Sequence, residues 1–333
     1  MNLVQILSTL RRQLCRAGVW AGVLGIVGAF AMPHAQAMEK TPLTIVVGFP
    51  AGGSVDVIAR VVGDAMRDDF SAVVVENKPG AAGRIALGSL RGAPIDGTKV
   101  IIAPFAGLVL HPHLYKKLPY DPLKDFTPIS TLAVMPFAVT AGPRSGIKNI
   151  KELTKHAKAK PEEATFGSSG EGSVGQLLGA WLGQLIGSPL RHVPFQGGAP
   201  ATLAMMGGHV LYKIDALSET TELHKDGKAL VLGVTGVKRD PLLPDVPTMK
   251  EQGVDMVIES TFVIYGPANL PKDVVHRLNQ SVVKAVRSPD TVAKMTKLGF
   301  QAVGSTPAET ADNQQRESAV WGRLVNTIGL SLD

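Results

Sequence analysis

The chain is punctuated by apolar, β-rich runs that end in glycine turns and open directly into amphipathic helices, and this alternation restricts it to an α/β architecture. Residues 44–49 (TIVVGF) form the first run, apolar enough for a strand buried on both faces. Gly52, Gly53 and Ser54 follow, and Val55, Ile58, Ala59, Val62 and Met66 then recur at helical spacing. Strand patterns at 73–75 and 100–103 complete a β-α-β-α-β series, the pattern of a parallel sheet with helices on its faces. After Pro143 the pattern restarts. Helices are predicted over 147–159, 173–186 and 199–206, with strands at 164–166, 193–195, 211–214 and 230–234. A further strand near 261–265 precedes a helix over 271–286 and another opening at Thr306. There Thr306, Pro307 and Glu309 stand at the cap, first and third positions of a well-signalled helix start. Two stretches of β-α alternation with a C-terminal return predict two lobes, residues 38–137 with 259–333, and residues 138–258.

The first 37 residues have the three parts of a secretory signal. Arg11, Arg12 and Arg16 make a positive start, residues 17–31 are apolar, and Ala35 and Ala37 offer small side chains for cleavage after Ala37. The apolar run is about 15 residues, short of the roughly 20 that cross a bilayer as a helix. Gln13-Leu14-Cys15 makes Arg11-Arg12 a weak twin-arginine match, so the general export route and a periplasmic location are expected. Cys15 is the only cysteine and lies inside this segment, so the mature chain is expected to carry no lipid, disulfide, catalytic thiol or cysteine-bound zinc. Loss of the three arginines lowers the formal net charge from +6 to +3. That balance suits an anionic small ligand. With no Lys/Arg stripe interleaved with aromatics, nucleic acid is not an expected partner.

Two turns can receive an anion. Phe49, Gly52, Gly53 and Ser54 sit where a strand hands over to a helix, so backbone N–H groups and the helix N-terminus converge there. A tight turn without a ligand is the equally weighted alternative. Residues 166–173 (FGSSGEGS) repeat the arrangement, with Gly167, Ser168, Ser169, Gly170 and Ser173 between a strand and a helix. Gly170, Gly172 and Gly175 also spell G-x-G-x-x-G, but the stretch 191–196 that should supply a ribose-binding acid has none, so no nicotinamide cofactor is expected. Glu171 breaks the G-x-S-x-G pattern of a serine hydrolase. An exported hydrolase using Ser168 or Ser169 remains an alternative that needs a histidine partner in space. His111-Pro112-His113 reads as a solvated loop rather than a metal site, and no metal is expected. Asp215 ends an apolar strand, as a helix cap, a ligand contact or a base.

Several segments are similar to those of one family: 44–59 (TIVVGFPAGGSVDVIA), 73–83 (VVVENKPGAAG), 113–122 (HLYKKLPYDP), 192–200 (HVPFQGGAP) and 243–248 (LPDVPT). In these the chain resembles the solute-binding proteins of tripartite tricarboxylate transporters, the Bordetella uptake gene or TctC-like family, over nearly the whole mature length. The resemblance implies a type II periplasmic binding protein fold: two α/β lobes around a ligand cleft, with crossing hinge strands. It implies a non-enzymatic, cofactor-free receptor, a monomer by default, that captures a small carboxylate for a two-component integral membrane permease. A ligand-binding subunit of a signalling system would share the cleft. Family contacts carry over onto Phe49, Gly52, Gly53, Ser54, Gly167, Ser168, Ser169, Gly170, Ser173, Gly197, Gly198, Ala199 and Asp215. Departures gather at the same places. Residues 103–108 (APFAGL), with Phe105, replace a threonine-rich turn, and Phe166 and Phe195 stand where tyrosine is usual. Gln176, Gln196 and Glu171 replace a usual histidine, lysine and asparagine. These changes suggest a ligand with an apolar or aromatic body. Lys213 occupies a normally apolar strand position on the same face as Asp215, where it can pair with Asp215 or with a second carboxylate.

Overall fold

The computed structural model describes residues 40–332. The expected export segment, residues 1–37, lies outside them. Among the described residues no helix is long and apolar enough to cross a membrane.

Strand β1 (Leu43–Val47), helix α1 (Ser54–Ala65), β2 (Val73–Asn77), α2 (Arg84–Leu90) and β3 (Lys99–Pro104) form the first β-α series. β1 lies between β2 and β3 and is parallel to both. Because strand side chains alternate, β1 is buried on both faces. Ile45 and Val47 pack with Ile58 and Val62 of α1, while Val46 joins Ile101, Leu87 and Leu90 on the other side. All five periodic apolar residues of α1 and its C-terminal flank, from Val55 to Met66, are buried as the spacing predicts.

Two single-turn helices, α3 (Ala106–Val109) and α4 (His111–Leu114), precede β4 (Phe126–Ala141). The second series runs α5 (Ile150–Ala159), β5 (Thr165–Ser168), α6 (Val174–Leu185), β6 (Arg191–Pro194), α7 (Gly198–Met206), β7 (Tyr212–Ala216), α8 (Thr221–Lys225) and β8 (Leu230–Val234). In it β5 lies between β6 and β7, again in parallel. The chain returns through β9 (Glu259–Pro267), α9 (Lys272–Arg287), α10 (Pro289–Lys297), β10 (Gln301–Ala302) and α11 (Pro307–Ile328).

The main path through the sheet is β2-β1-β3-β9-β4-β7-β5-β6. The 16-residue β4 joins its two halves. From Phe126 to Pro136 it pairs with β9, and from Phe137 to Ala141 it pairs with β7 on one side and β8 on the other. β4 is the long element absent from the strand pattern read in the sequence. Its residues are almost all buried, so no alternation shows, and Pro128 and Pro136 interrupt it. The pairing with β9 tolerates Pro128 because the register shifts between Pro128 and Ser130. Helix α10 is likewise not among the helices predicted from the sequence, although Ser288 caps it through the Thr291 N–H and Pro289 opens it. The 147–159 helix starts at Ile150, where the Asn149 side chain accepts from Glu152 N–H.

His111 and His113 do not lie in a solvated loop. Pro112 sits in the first turn of α4, where its missing N–H costs no hydrogen bond, so the triplet is helical. His111 is buried, with Nδ1 3.1 Å from the Tyr120 hydroxyl and Nε2 3.1 Å from the Gly172 carbonyl.

Candidate ligand-binding site

The turns singled out above follow the C-terminal ends of parallel strands, where open α/β sheets place their ligands. The β1–α1, β5–α6 and β6–α7 turns, the end of β3 and the end of β7 surround one cleft that opens to solvent. Its walls are largely apolar, with Phe49, Leu87, Ile101, Phe137, Val174 and Phe262 among them. Polar groups are few: Ser54, Ser169, Ser173, Ser260, His111, Asp215 and Glu219.

Of the residues carried over from the sequence, Phe49, Gly53, Ser54, Ser169, Ser173, Gly198, Ala199 and Asp215 line this cleft. Gly52, Phe105, Gly167, Ser168, Gly170 and Gly197 do not. Gly52 is solvent-exposed, at φ +85°, and its N–H donates to Asp56 Oδ2 at 2.9 Å. Asp56 is buried in the first turn of α1. Burial opposes its ionisation, yet bonds from Arg60, Gly52 and Asn77 hold its carboxyl below the usual carboxylate range. Phe105 packs into the core, its ring tilted against Tyr265. Gly167 lies under the Phe195 ring and Gly197 lies against Pro50. Gly170 adopts φ +144° beside Ala82.

Ser168 is fully buried behind the wall. Its Oγ lies 2.7 Å from His192 Nε2 and 2.8 Å from Ser173 Oγ. This is the spatial histidine that the hydrolase alternative required, yet the pair ties β5 to β6 and the cap of α6 and does not front the cleft. Burial pushes the His192 imidazole down to about 4. The G-x-G-x-x-G glycines are likewise structural. Gly175 packs α6 against the Ile214 carbonyl, where a side chain has no room.

Phe166 and Phe195 also stand outside the lining. Phe166 is buried against His192 and Gly179 and contributes to the core rather than to the cleft. The aromatic surfaces of the cleft come from Phe49, Phe137 and Phe262 instead. Gln176 turns away to accept the Gly172 N–H at 2.7 Å, and Glu171 and Gln196 are exposed.

The end of β7 carries the charge. Lys213 and Asp215 point to the same face and both are buried. Lys213 donates to Glu219 Oε2 at 2.5 Å, so its partner is the second carboxylate. Glu219 stands at the end of a 3₁₀ turn (Leu217–Glu219) that folds the chain back over the strand end. Its Oε1 accepts the Ser54 N–H at 3.1 Å. Glu219 was not singled out in the sequence. The only signal for it was a lysine in a strand that otherwise asks for apolar residues. Asp215 Oδ1 accepts the Ala216 N–H at 2.9 Å, while its buried Oδ2 has no hydrogen-bond partner among the described residues. Burial and then the neighbouring Glu219 push the Asp215 carboxyl well above the usual range, against the opposing pull of Lys213. Among the described residues no group of three His, Cys, Asp or Glu could hold a metal ion.

Residues 58–330 match the sequence model of the tripartite tricarboxylate transporter family receptor, TctC. The chain belongs to this family. Its members are periplasmic solute-binding proteins rather than enzymes, and this receptor shares their mixed α/β fold. It is 33% identical to the UPF0065 protein in the tcbD-tcbE intergenic region of Pseudomonas sp. strain P51, over 87% of each chain. Among solved structures it resembles the periplasmic binding protein BugD, with a TM-score of 0.83 and 31% identity over 87% of this chain and 98% of that one. Rpa4515 of R. palustris, solved with adipate, superposes at a TM-score of 0.84 with 28% identity, over 87% and 98% of the two chains. MatC of Rhodopseudomonas palustris, solved with bound malate, gives 0.82 and 28% over 86% and 99%.

Proposed function

We infer that this receptor captures a small carboxylate with an apolar or aromatic body in the periplasm, after export directed by residues 1–37. It then presents that ligand to a two-component integral membrane permease of the tripartite tricarboxylate type. The observation that carries the ligand class is the makeup of the cleft: apolar walls around a few hydroxyls, at strand ends, in a family whose solved relatives hold adipate and malate. Phe49, Gly53, Ser54, Ser169, Ser173, Gly198, Ala199 and Asp215 form the contact set. Ser169 and Ser173 offer hydroxyls to the carboxylate, and Phe49, Phe137 and Phe262 cover the body. Lobes 38–137 with 259–333 and 138–258 close over it by bending at β4 and β9, and excluded water strengthens each polar contact. The protein works as a monomer that docks and releases. A calorimetric screen tests the reading. Aromatic or apolar-tailed acids are expected to bind more tightly than citrate. Tight citrate binding with no heat from aromatic acids would overturn it.

A further inference from the structure

Glu219 occupies the place where two parts of the cleft converge. Its Oε1 takes the Ser54 N–H at the start of α1, in the first half of the sheet, and its Oε2 takes the Lys213 ammonium at the end of β7, in the second half. Its carboxylate also lies directly over Gly198 at the start of α7, where no side chain would fit beside it. A backbone N–H at one helix start, the opening of a second helix and a lysine are the donor set expected for a ligand carboxylate. Here the protein's own side chain fills it. The Lys213 and Glu219 side chains are 1% and 7% exposed, so the pair is built into the wall.

The remaining ionisable acid in the cleft lining is Asp215, whose buried Oδ2 makes no hydrogen bond among the described residues. His111 is the other titratable lining group, and burial, then the Arg84 guanidinium, holds it neutral at physiological pH. With Lys213 paired to Glu219, Asp215 leaves the site neutral or negative, with Oδ2 unbonded and only the Ser169 hydroxyl acting on the carboxyl from the lining.

We propose that Glu219 is a specificity-determining, built-in carboxylate. It fills the second anion seat, so the cleft takes ligands with one carboxylate, an apolar body and an ammonium or other N–H or O–H donor for Asp215 Oδ2, and turns away dicarboxylates. This rests on the carboxylate reading above. The second carboxylate of a malate-like or adipate-like ligand would meet Glu219 and Asp215, and among the described residues lining the cleft there is no lysine or arginine to receive it.

Isothermal titration calorimetry of the purified protein at neutral pH tests it, with phenylalanine and benzoate as monocarboxylates and malate and adipate as dicarboxylates. The wild type is expected to bind at least one monocarboxylate, phenylalanine better than benzoate, and to bind both dicarboxylates at least tenfold more weakly. Glu219→Gln keeps an acceptor for Ser54 and frees Lys213, and is expected to raise malate or adipate affinity at least tenfold. A double variant, Lys213→Met with Glu219→Ala, removes both buried charges and covers the case in which a lone buried lysine prevents folding. It is expected to narrow the mono-to-dicarboxylate ratio at least threefold. Wild-type binding of malate or adipate within tenfold of the best monocarboxylate, or an unchanged ratio in the folded variants, would overturn the role of Glu219 alone. No heat from any carboxylate with wild type or variants would overturn the carboxylate reading and this inference together.

Discussion

Asp215 carries one oxygen bonded to the N–H at the end of its own strand and one that makes no hydrogen bond among the described residues, with the Ser169 hydroxyl the nearby donor that acts on the carboxyl. Burial therefore raises its pKa, and the sign of the stability effect follows. The folded chain prefers the protonated acid, so the stabilising contribution is complete below the unfolded value near 3.8 and is lost as pH rises through the raised value. Asp215→Asn removes this ionisation. It is expected to raise stability at pH 7 by on the order of 1–3 kcal/mol, with the gain vanishing toward pH 3, as read from urea midpoints. Binding of a ligand that donates to Oδ2 is expected to weaken at least tenfold in the same variant. A variant less stable than wild type at pH 7 would contradict the placement of Asp215. The residue itself was legible in the sequence, as an acid ending an apolar strand. Its lack of a partner was not, because that depends on Lys213 having turned to Glu219 through a short 3₁₀ turn with no periodicity of its own.

Elements with local signatures were read close to their true positions, and those that depend on distant pairing were not. α11 shows the first case. The Thr306 Oγ1 accepts the Glu309 N–H at 3.2 Å and Glu309 Oε2 accepts the Thr306 N–H at 2.8 Å, the reciprocal box that the residue spacing announces. Thr306→Ala is expected to cost about 1 kcal/mol in denaturant unfolding. A change within 0.2 kcal/mol, on the order of measurement error, would show the box to be idle. β4 shows the second case. A strand paired with β9, β7, β8 and β10 in turn is covered along most of its length, and a fully covered strand has no polar stripe to reveal its period. The cleft followed the same rule. Glycine and serine turns at strand ends were visible in the sequence, whereas Phe137 from β4 and Phe262 from β9 reach it only through tertiary pairing.

At the scale of the whole molecule, the two β-α series and the strands between them surround a cleft whose supports include two neutral imidazoles, His111 buried and His192 half-buried. Burial and then the Arg84 guanidinium push His111 down to about 3, and burial alone takes His192 to about 4. Both values are depressed relative to 6.5, so their stability contribution is present above pH 6.5 and is lost as pH falls toward the folded values. For His111 the loss amounts to on the order of 3 kcal/mol at pH 4. Thermal unfolding midpoints are expected to fall steadily from pH 6.5 to pH 4, with a shallower slope in His111→Gln. A flat profile over this range would contradict the burial of His111 and the partial burial of His192. These histidines join the β5–α6 turn to α4 and β6, so acid would loosen the same turn that presents Ser169 and Ser173.

Capture of a small carboxylate in this cleft is the claim on which the account depends, and native mass spectrometry of the protein purified from its own cells tests it most directly. The expected result is a one-to-one complex whose released ligand is a small organic acid with an apolar or aromatic body. Release of a ligand without a carboxyl group would contradict it.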